Sequence, residues 1–272
     1  MFTARLATAI VLLAACVSAL LFLPNVAWTV LLLPVLLAAS REWSVLAGLQ
    51  GLARWMFAGL VLASAVAAWL TVAYFPAAPG RLAPAEAVIY GAGCAFWLLV
   101  AIPWLARTWH AKSVLILASA GWIVLVPFWL ALARLQENPG RLLAVLAIVW
   151  LADTAAYVSG KAWGRHKLAP SISPGKTWEG IAGAVAAVAV YYFVLSRVAP
   201  EWGWWSGYGG AILFVGVAVM SVVGDLFESA IKRQAGVKDS GTLLPGHGGI
   251  LDRIDSLTAA LPMAAVLMPY AG

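Results

Sequence analysis

Cysteine, histidine and charged residues are all scarce in this chain. It contains two cysteines and three histidines among 272 residues, and only 10% of its residues are charged. Cys16 and Cys94 both lie in apolar stretches, so buried thiols are expected rather than a disulfide or a reactive site. The chain is 64% hydrophobic, which excludes an ordinary soluble domain, whose apolar fraction is about 45 to 50%.

Acidic residues are scarcer than basic ones. The chain has 11 aspartates and glutamates and 17 lysines and arginines, which gives a formal net charge of +6. This excess is compatible with anionic lipid headgroups and phosphates. It mainly reflects basic loops that stay on one side of a membrane. Nucleic-acid binding is therefore not predicted.

Long apolar runs fill most of the sequence, and its mean hydropathy is +0.94. A bilayer core of about 30 Å needs about 20 apolar residues per helix. The predicted fold class is all-α, a polytopic integral membrane protein that forms a single membrane domain over residues 1–272. Nine transmembrane helices are predicted, at residues 6–23, 26–40, 55–75, 86–106, 113–133, 141–159, 178–198, 208–224 and 254–270.

The distribution of lysine and arginine predicts how these helices are oriented. If the N-terminus is cytoplasmic, thirteen of the seventeen basic residues face the cytoplasm. The expected location is a bacterial-type inner or cell membrane, with membrane lipids around the helices. Four basic residues then lie outside, namely Arg81, Arg134, Arg141 and Arg197.

The first 140 residues offer little chemistry. Glu42, Glu86, Glu137 and His110 lie near predicted span ends, where a solvated side chain is the default. No role is assigned to them.

Charge is concentrated in the stretch Ser221–Ser256. A helix over residues 224–233 would place polar side chains at positions i, i+3, i+4 and i+7 of one face, namely Asp225, Glu228, Ser229 and Lys232. A glycine-rich loop follows over residues 234–249. Asp252 and Asp255 then share a face in the first turn of a second helix. Two helix ends with acidic faces could therefore converge.

Carboxylate oxygens without nearby thiolates suit a hard cation such as Mg²⁺, and the neighbouring lysines and arginines suit phosphate oxygens. Together they predict a metal-assisted site for phosphoryl or nucleotidyl transfer. The alternative is a solvated loop between two spans, in which the charges neutralise one another.

A second polar stretch covers residues 150–180. Asp153 lies inside an apolar span, where an ionisable side chain is costly and indicates a functional site. The alternative is a carboxylate satisfied by Tyr157 or by a neighbouring helix.

The loop after this span is basic and contains glycines. Gly160 and Gly164 allow close backbone approach, and four cations follow within one short loop, namely Lys161, Arg165, Lys167 and Lys176. Ser173 and Pro174 predict a helix N-cap followed by a first-turn proline, which would present free amides to an anion. The alternative is a basic loop whose charges only set the orientation of the neighbouring helices in the membrane.

The downstream stretch resembles the signature of phosphatidate cytidylyltransferases, also called CDP-diacylglycerol synthases. A pattern of this length and mixed chemistry is specific. The upstream run from Ser173 to Gly180 also resembles the family, although Arg165 stands where lysine is expected. The likeness covers about residues 150–260, and the downstream pattern reads Ser229-x-Ile-Lys232-Arg233-x4-Lys238-Asp239-x-Gly-x2-Leu-Pro-x-His247-Gly248-Gly249-Ile-x-Asp252-Arg253-Ile-Asp255.

The resemblance implies that CTP and phosphatidate give CDP-diacylglycerol and pyrophosphate with Mg²⁺, and a second metal or a monovalent ion is compatible with it. Residues 141–272 would form the catalytic transmembrane region after the N-terminal helices of residues 1–140. A homodimer is compatible with the resemblance.

The resemblance also implies roles for individual residues. Asp225 and Asp252 would be the principal metal ligands, with Glu228, Asp255 and Asp153 as further candidates. Asp225 and Asp252 would also act in catalysis, with phosphate contacts from Lys232, Arg233, Lys238 and Arg253. Substrate binding would fall to Lys161, Arg165, Lys167, Ser173, Lys176, Ser229, His247, Gly248 and Gly249.

Two other functions stay open. A CTP-dependent polyprenol or phytol kinase would use a similar membrane setting but transfer the γ-phosphate to a lipid alcohol and release CDP. A secondary transporter could use charged residues near spans as an ion pathway. Against a transporter, the sequence shows no repeat and no matching broken helices.

Overall fold

The computed structural model describes residues 14–78, 81–199, 205, 207–243 and 248–270, and these form a helical bundle with one small hairpin. Residues 14–22 are helical and lead into the first complete helix. The elements after them are α1 (Asn25–Leu46), α2 (Leu52–Tyr74), α3 (Pro84–Ala106), α4 (Val114–Leu135), α5 (Pro139–Trp163), β1 (Lys167–Ala169), β2 (Ser173–Thr177), α6 (Trp178–Val198), α7 (Gly207–Gln234) and α8 (Leu251–Leu267).

Seven of the described helices, α1 to α7, are long and apolar enough to cross a membrane, which confirms the polytopic all-α class. α8 is shorter, at 17 residues, and the span predicted at 6–23 begins outside the described residues. The second span was predicted to end at residue 40, which was wrong, because α1 continues to Leu46. The span predicted at 208–224 and the charged helix after it form one continuous helix, α7.

The helix N-cap predicted at Ser173 was wrong. Residues Ser173–Thr177 form strand β2, which pairs antiparallel with β1. α6 begins one residue later, and its N-cap is Thr177, whose Oγ1 accepts a hydrogen bond from Gly180 N at 3.1 Å. Pro174 lacks an N–H donor, and a two-stranded hairpin tolerates it because each strand is an edge.

α1 and α4 run antiparallel, and the contacts at the two ends of this pair mark two opposite ends of the bundle. Trp28 near the start of α1 donates its Nε1–H to Leu132 O near the end of α4. Trp43 near the end of α1 donates its Nε1–H to Leu117 O near the start of α4. We call the end that holds the hairpin and the start of α8 the hairpin end, and the other end the distal end.

An aromatic cluster anchors α7 just inside the hairpin end. Phe227 is 1% exposed, and four aromatic rings from α1 and α3 lie with centroids 5.5 to 6.4 Å from its own, those of Trp43, Phe96, Trp97 and Trp104. Edge-to-face contacts at such distances are favourable beyond their buried area. The charged half of α7 is therefore held against the N-terminal helices.

α7 and α8 approach each other closely at a glycine. A Cβ at Gly224 would lie 2.5 Å from the backbone oxygen of Asp255, so only glycine fits here without a shift of one helix. The close approach places the polar faces of the two helices against each other.

Candidate active site

Lys232 of α7 lies between two carboxylates and joins α7 to α8. Its Nζ is 2.6 Å from Oδ1 of Asp252 and 3.2 Å from Oε1 of Glu228. Lys232 is 8% exposed and Glu228 is 3% exposed. A buried charge is tolerated only when it is paired, so this triad fixes the two helices relative to each other. With one ammonium against two carboxylates, the triad formally keeps one negative charge.

The second oxygen of Asp252 organises the loop that precedes α8. Its Oδ2 accepts hydrogen bonds from Ser240 N at 2.9 Å, from Ser240 Oγ at 3.0 Å and from Gly249 N at 2.8 Å. Donors from both ends of the loop therefore converge on one carboxylate at the N-terminus of α8, where a negative charge is also favoured by the helix dipole.

Asp225 connects α7 to the hairpin. Its Oδ2 is 2.7 Å from Nζ of Lys176 on β2, and its Oδ1 accepts a hydrogen bond from Ser229 Oγ at 3.3 Å. Lys176 and Asp225 are both only partly exposed. The two polar stretches of the sequence therefore meet at one place.

Two further carboxylates complete an acidic group around Asp225. Asp255 lies on α8 opposite Gly224, the neighbour of Asp225 in α7, and Asp153 lies on α5. Oδ2 of Asp153 accepts a hydrogen bond from Ser256 Oγ of α8 at 3.3 Å. The neighbouring helix, rather than Tyr157 one turn later, thus supplies the partner that the sequence left open.

No ready-made metal centre is present in the part of the chain that the structure describes, because no three Asp, Glu, His or Cys side chains there are arranged to hold one ion. Both oxygens of Asp225 and of Asp252 accept hydrogen bonds or ion pairs, with Lys176 and Lys232 as the cationic partners. The donors are nevertheless carboxylate and hydroxyl oxygens, which are the ligands that Mg²⁺ prefers. The set therefore fits a magnesium ion chemically, in competition with the two lysines.

The other predicted substrate-binding residues surround this group at the hairpin end. Ser173 is half-buried in β2, and Gly248 and Gly249 lie in the loop before α8. His247 lies outside the described residues. Among the predicted residues, six basic side chains are exposed there, those of Lys161, Arg165, Lys167, Arg233, Lys238 and Arg253.

Glu42 of α1 contacts the site residues, although the sequence assigned it no role. Its carboxylate accepts three hydrogen bonds, from Ile250 N and Leu251 N at 2.9 Å each and from Ser240 Oγ at 2.8 Å. Two of these donors are backbone amides at the start of α8, which have no acceptor within the helix. Glu42 therefore caps α8 from another helix. One sequence signal could have found it, because Glu42 is the only acidic residue in the first 85 residues.

A second contact ties the N-terminal half to the same end. Gln234, the last residue of α7, accepts a hydrogen bond from Ala111 N at 3.0 Å and donates one to Ala111 O at 2.6 Å. The connection between α3 and α4 is thereby fixed to the helix that carries Asp225 and Lys232. Residues 1–140, to which the sequence assigned no role, therefore supply contacts that hold this end of the bundle.

Two glycines in the loop before α8 leave room for the carboxylates. A Cβ at Gly249 would collide with Ser240 Oγ and with Oε2 of Glu42. A Cβ at Gly248, where φ is +82°, would lie 2.6 Å from Oδ2 of Asp252. The glycines of the signature are thus required by the two carboxylates that hold the loop.

Replacing Gly248 by alanine is expected to destabilise the protein more than the same change at Gly236. Both glycines have positive φ, +82° and +74°, so both variants share the left-handed strain of about 1 kcal/mol. Only Gly248 has an atom within 4 Å of the added Cβ. We expect an additional loss of about 2 kcal/mol, seen as an unfolding temperature roughly 4 to 8 °C lower in detergent. Equal shifts in the two variants would contradict the collision.

Comparison with known proteins gives one family. The sequence profile described as "Cytidylyltransferase family" matches residues 3–271. A phosphatidate cytidylyltransferase of Pseudomonas aeruginosa is 36% identical over 294 aligned positions, which cover 100% of this chain and 98% of that protein. Phosphatidate cytidylyltransferases of Haemophilus influenzae and Brucella suis are 43% and 47% identical over 181 and 173 positions. These alignments cover 62% of this chain in each case, and 62% and 60% of those proteins.

Proposed function

The chain belongs to the cytidylyltransferase family, and from that premise we propose that it is a phosphatidate cytidylyltransferase of phospholipid biosynthesis. It would transfer CMP from CTP to phosphatidate and give CDP-diacylglycerol and pyrophosphate. The observation that carries the proposal is the meeting of Lys176, Asp225, Lys232 and Asp252. These residues join the hairpin, α7 and α8 at one end of a membrane bundle.

The reaction suits this location. A phosphate oxygen of phosphatidate attacks the α-phosphorus of CTP, a new P–O bond forms, and the bond to the β-phosphate oxygen breaks as pyrophosphate leaves. The lipid headgroup lies at the membrane interface and CTP arrives from water, so a polar site at helix ends is accessible to both substrates. No covalent intermediate on the protein is needed.

The exposed cations would bind the phosphate groups. Lys161, Arg165, Lys167, Arg233 and Lys238 lie at the hairpin end, with Arg253 and Ser173 nearby. Each guanidinium or ammonium offers donors to phosphate oxygens and offsets the charge of the leaving pyrophosphate. Ser229, His247, Gly248 and Gly249 belong to the same proposed substrate site. A phosphate monoester is already largely anionic near neutral pH, so a general base is not required.

Asp225 and Asp252 would hold Mg²⁺, with Glu228, Asp255 and Asp153 as further ligands or supporting groups, and a second metal or monovalent ion is compatible with so many carboxylates. When bound, the metal supplies charge neutralisation at the phosphates. Because Lys176 and Lys232 are bonded to the two principal carboxylates, their ammonium groups compete with the ion.

We further propose that the hairpin end and the N-terminus face the cytoplasm. Twelve of the described lysines and arginines lie at or near the hairpin end, against four at the distal end. Cytoplasmic segments are enriched in these residues. A homodimer stays a prediction.

Purified protein in detergent should release pyrophosphate only when CTP, phosphatidate and Mg²⁺ are all present. Omission of Mg²⁺ with a chelator present should lower the rate by at least about 100-fold, because a bound metal is worth several kcal/mol of charge stabilisation. The measurement is coupled detection of pyrophosphate together with CDP-diacylglycerol by mass spectrometry.

Two results would favour the alternatives instead. Release of CDP with a lipid alcohol as acceptor would indicate a CTP-dependent lipid kinase. Ion uptake into liposomes by folded protein that makes neither product would indicate a transporter.

A further inference from the structure

A second polar cavity lies at the distal end, away from the site described above. Its volume is about 450 Å³, and it opens among the connection from α2 to α3, the end of α4, the start of α5 and the end of α8. α8 carries Asp252 in its first turn and reaches this cavity with Ala265, and Met268 follows directly after the helix. A helix of this length rises about 25 Å, so a molecule bound here cannot touch the hairpin end.

The cavity gathers the positive charge of the distal end. Among the residues that the structure describes, four lysines or arginines lie at that end, and three of them line this one cavity, namely Arg81, Arg134 and Arg141. Two carboxylates, Glu86 and Glu137, also line it, so the charge of the lining is formally +1. Concentration of scarce basic residues in one cavity indicates a ligand with negative charge.

The two carboxylates both contact a single arginine. Oε1 of Glu86 lies 2.7 Å from Nε of Arg134, and Glu137 forms an ion pair with NH1 of the same guanidinium. Oε2 of Glu86 is also occupied, because it accepts the backbone N–H of Ala83 at 2.8 Å. These contacts hold the two carboxylates in place. Donors of the protein itself occupy both oxygens of Glu86 and Oε1 of Glu137.

Tyr90 supplies an unused donor. Its side chain is 1% exposed and lines the cavity, and its hydroxyl has no hydrogen-bond partner among the described residues. A buried hydroxyl without a partner is costly, and a ligand oxygen in this cavity would be an acceptor for it. A phenol donor beside guanidinium groups suits a phosphate.

The opposite wall of the cavity is apolar. Leu82, Leu135, Ala265, Met268 and Pro269 line it. We propose that this cavity binds the phosphodiester headgroup of a membrane phospholipid from the leaflet opposite the catalytic site, with the apolar wall against its glycerol and acyl carbons. Basic pockets between transmembrane helices are a recurring form of headgroup recognition.

The test measures lipid binding to delipidated protein in a neutral detergent. Native mass spectrometry should detect one saturable site for short-chain phosphatidylglycerol. Tyr90→Phe and Arg81→Gln should each weaken it roughly tenfold, because each removes one hydrogen-bond donor to a charged group. Arg197→Gln is the matched control, since Arg197 is the distal basic residue outside the cavity and lies over the ring of Phe193. It should leave the affinity unchanged.

Two further measurements make the result decisive. Inorganic phosphate should fail to displace the lipid at concentrations far above that of the lipid; full displacement would assign the cavity to a free phosphate and overturn the lipid proposal. Equal affinity in wild type, Tyr90→Phe and Arg81→Gln would overturn it as well. Unfolding temperatures of the lipid-free variants show that they are folded, and only the wild type and the control should be stabilised by added lipid.

Discussion

Replacing Asp225 by asparagine should lower the rate of CDP-diacylglycerol formation by at least about 100-fold while the helical bundle stays folded. The substitution keeps the size of the side chain but removes the charge that pairs with Lys176 at 2.7 Å. It also removes a proposed metal ligand from the acidic group. Loss of about 3 kcal/mol of charge stabilisation in the transition state corresponds to this change in rate.

The measurement is the initial rate of pyrophosphate release at saturating CTP and phosphatidate, with the dependence on Mg²⁺ concentration recorded for each variant. Asp225→Asn should need more Mg²⁺ for half-maximal activity. Glu137→Gln is the matched control, because it removes one negative charge at the distal end. Its rate should stay within about threefold of wild type. Full activity in Asp225→Asn would remove this residue from the proposed site.

Glu42→Ala should reduce the same activity by about 100-fold, although Glu42 lies 198 to 209 positions from the residues that it holds. The variant leaves two backbone amides of α8 and the Ser240 hydroxyl without their carboxylate. Each such loss costs about 1 kcal/mol or more, so the start of α8 and the loop that contains Gly249 should loosen together. Asp252, which shares Ser240 as a donor with Glu42, would then lose its fixed position.

Three measurements distinguish positioning from a general loss of folding. The maximal rate should fall more than the apparent affinity for CTP. Glu42→Gln should recover part of the activity, because its amide oxygen can still accept from one or two of the three donors. Arg41→Gln is the control, since Arg41 lies on the same turn with its guanidinium 3.7 Å from the ring centre of Trp55. Unchanged activity in Glu42→Ala would show that the cap has no part in the reaction.

Most helices were predictable because their signal is local. A span needs about 20 apolar residues in a row, and α2 and α4 satisfy this requirement within their own sequence. The polar face of the charged stretch could also be predicted, since the spacing of Asp225, Glu228 and Lys232 places them on one side of a helix in any tertiary environment. The boundary at residue 40 was not readable, because Ser40, Arg41 and Glu42 interrupt the apolar run although the helix continues to Leu46.

The hairpin shows the same limit on a smaller scale. Ser173 followed by Pro174 is a valid N-cap sequence, and so is Thr177 followed by Glu179. The choice between them depends on strand pairing with β1, which the local sequence does not contain. The result places Lys176 on a strand, directed at Asp225, rather than in the first turn of a helix.

Hydropathy and motif spacing are properties of neighbouring residues, so the membrane class, the polar stretches and the family could all be predicted from the sequence. Which side chains meet depends instead on how the helices pack. Glu42 and Ile250 are 208 positions apart, and Lys176 and Asp225 belong to different elements. The distal cavity likewise collects residues from four separate parts of the chain. Such contacts depend on how helices pack, and packing is set by shape and by the pairing of buried polar groups across the whole bundle.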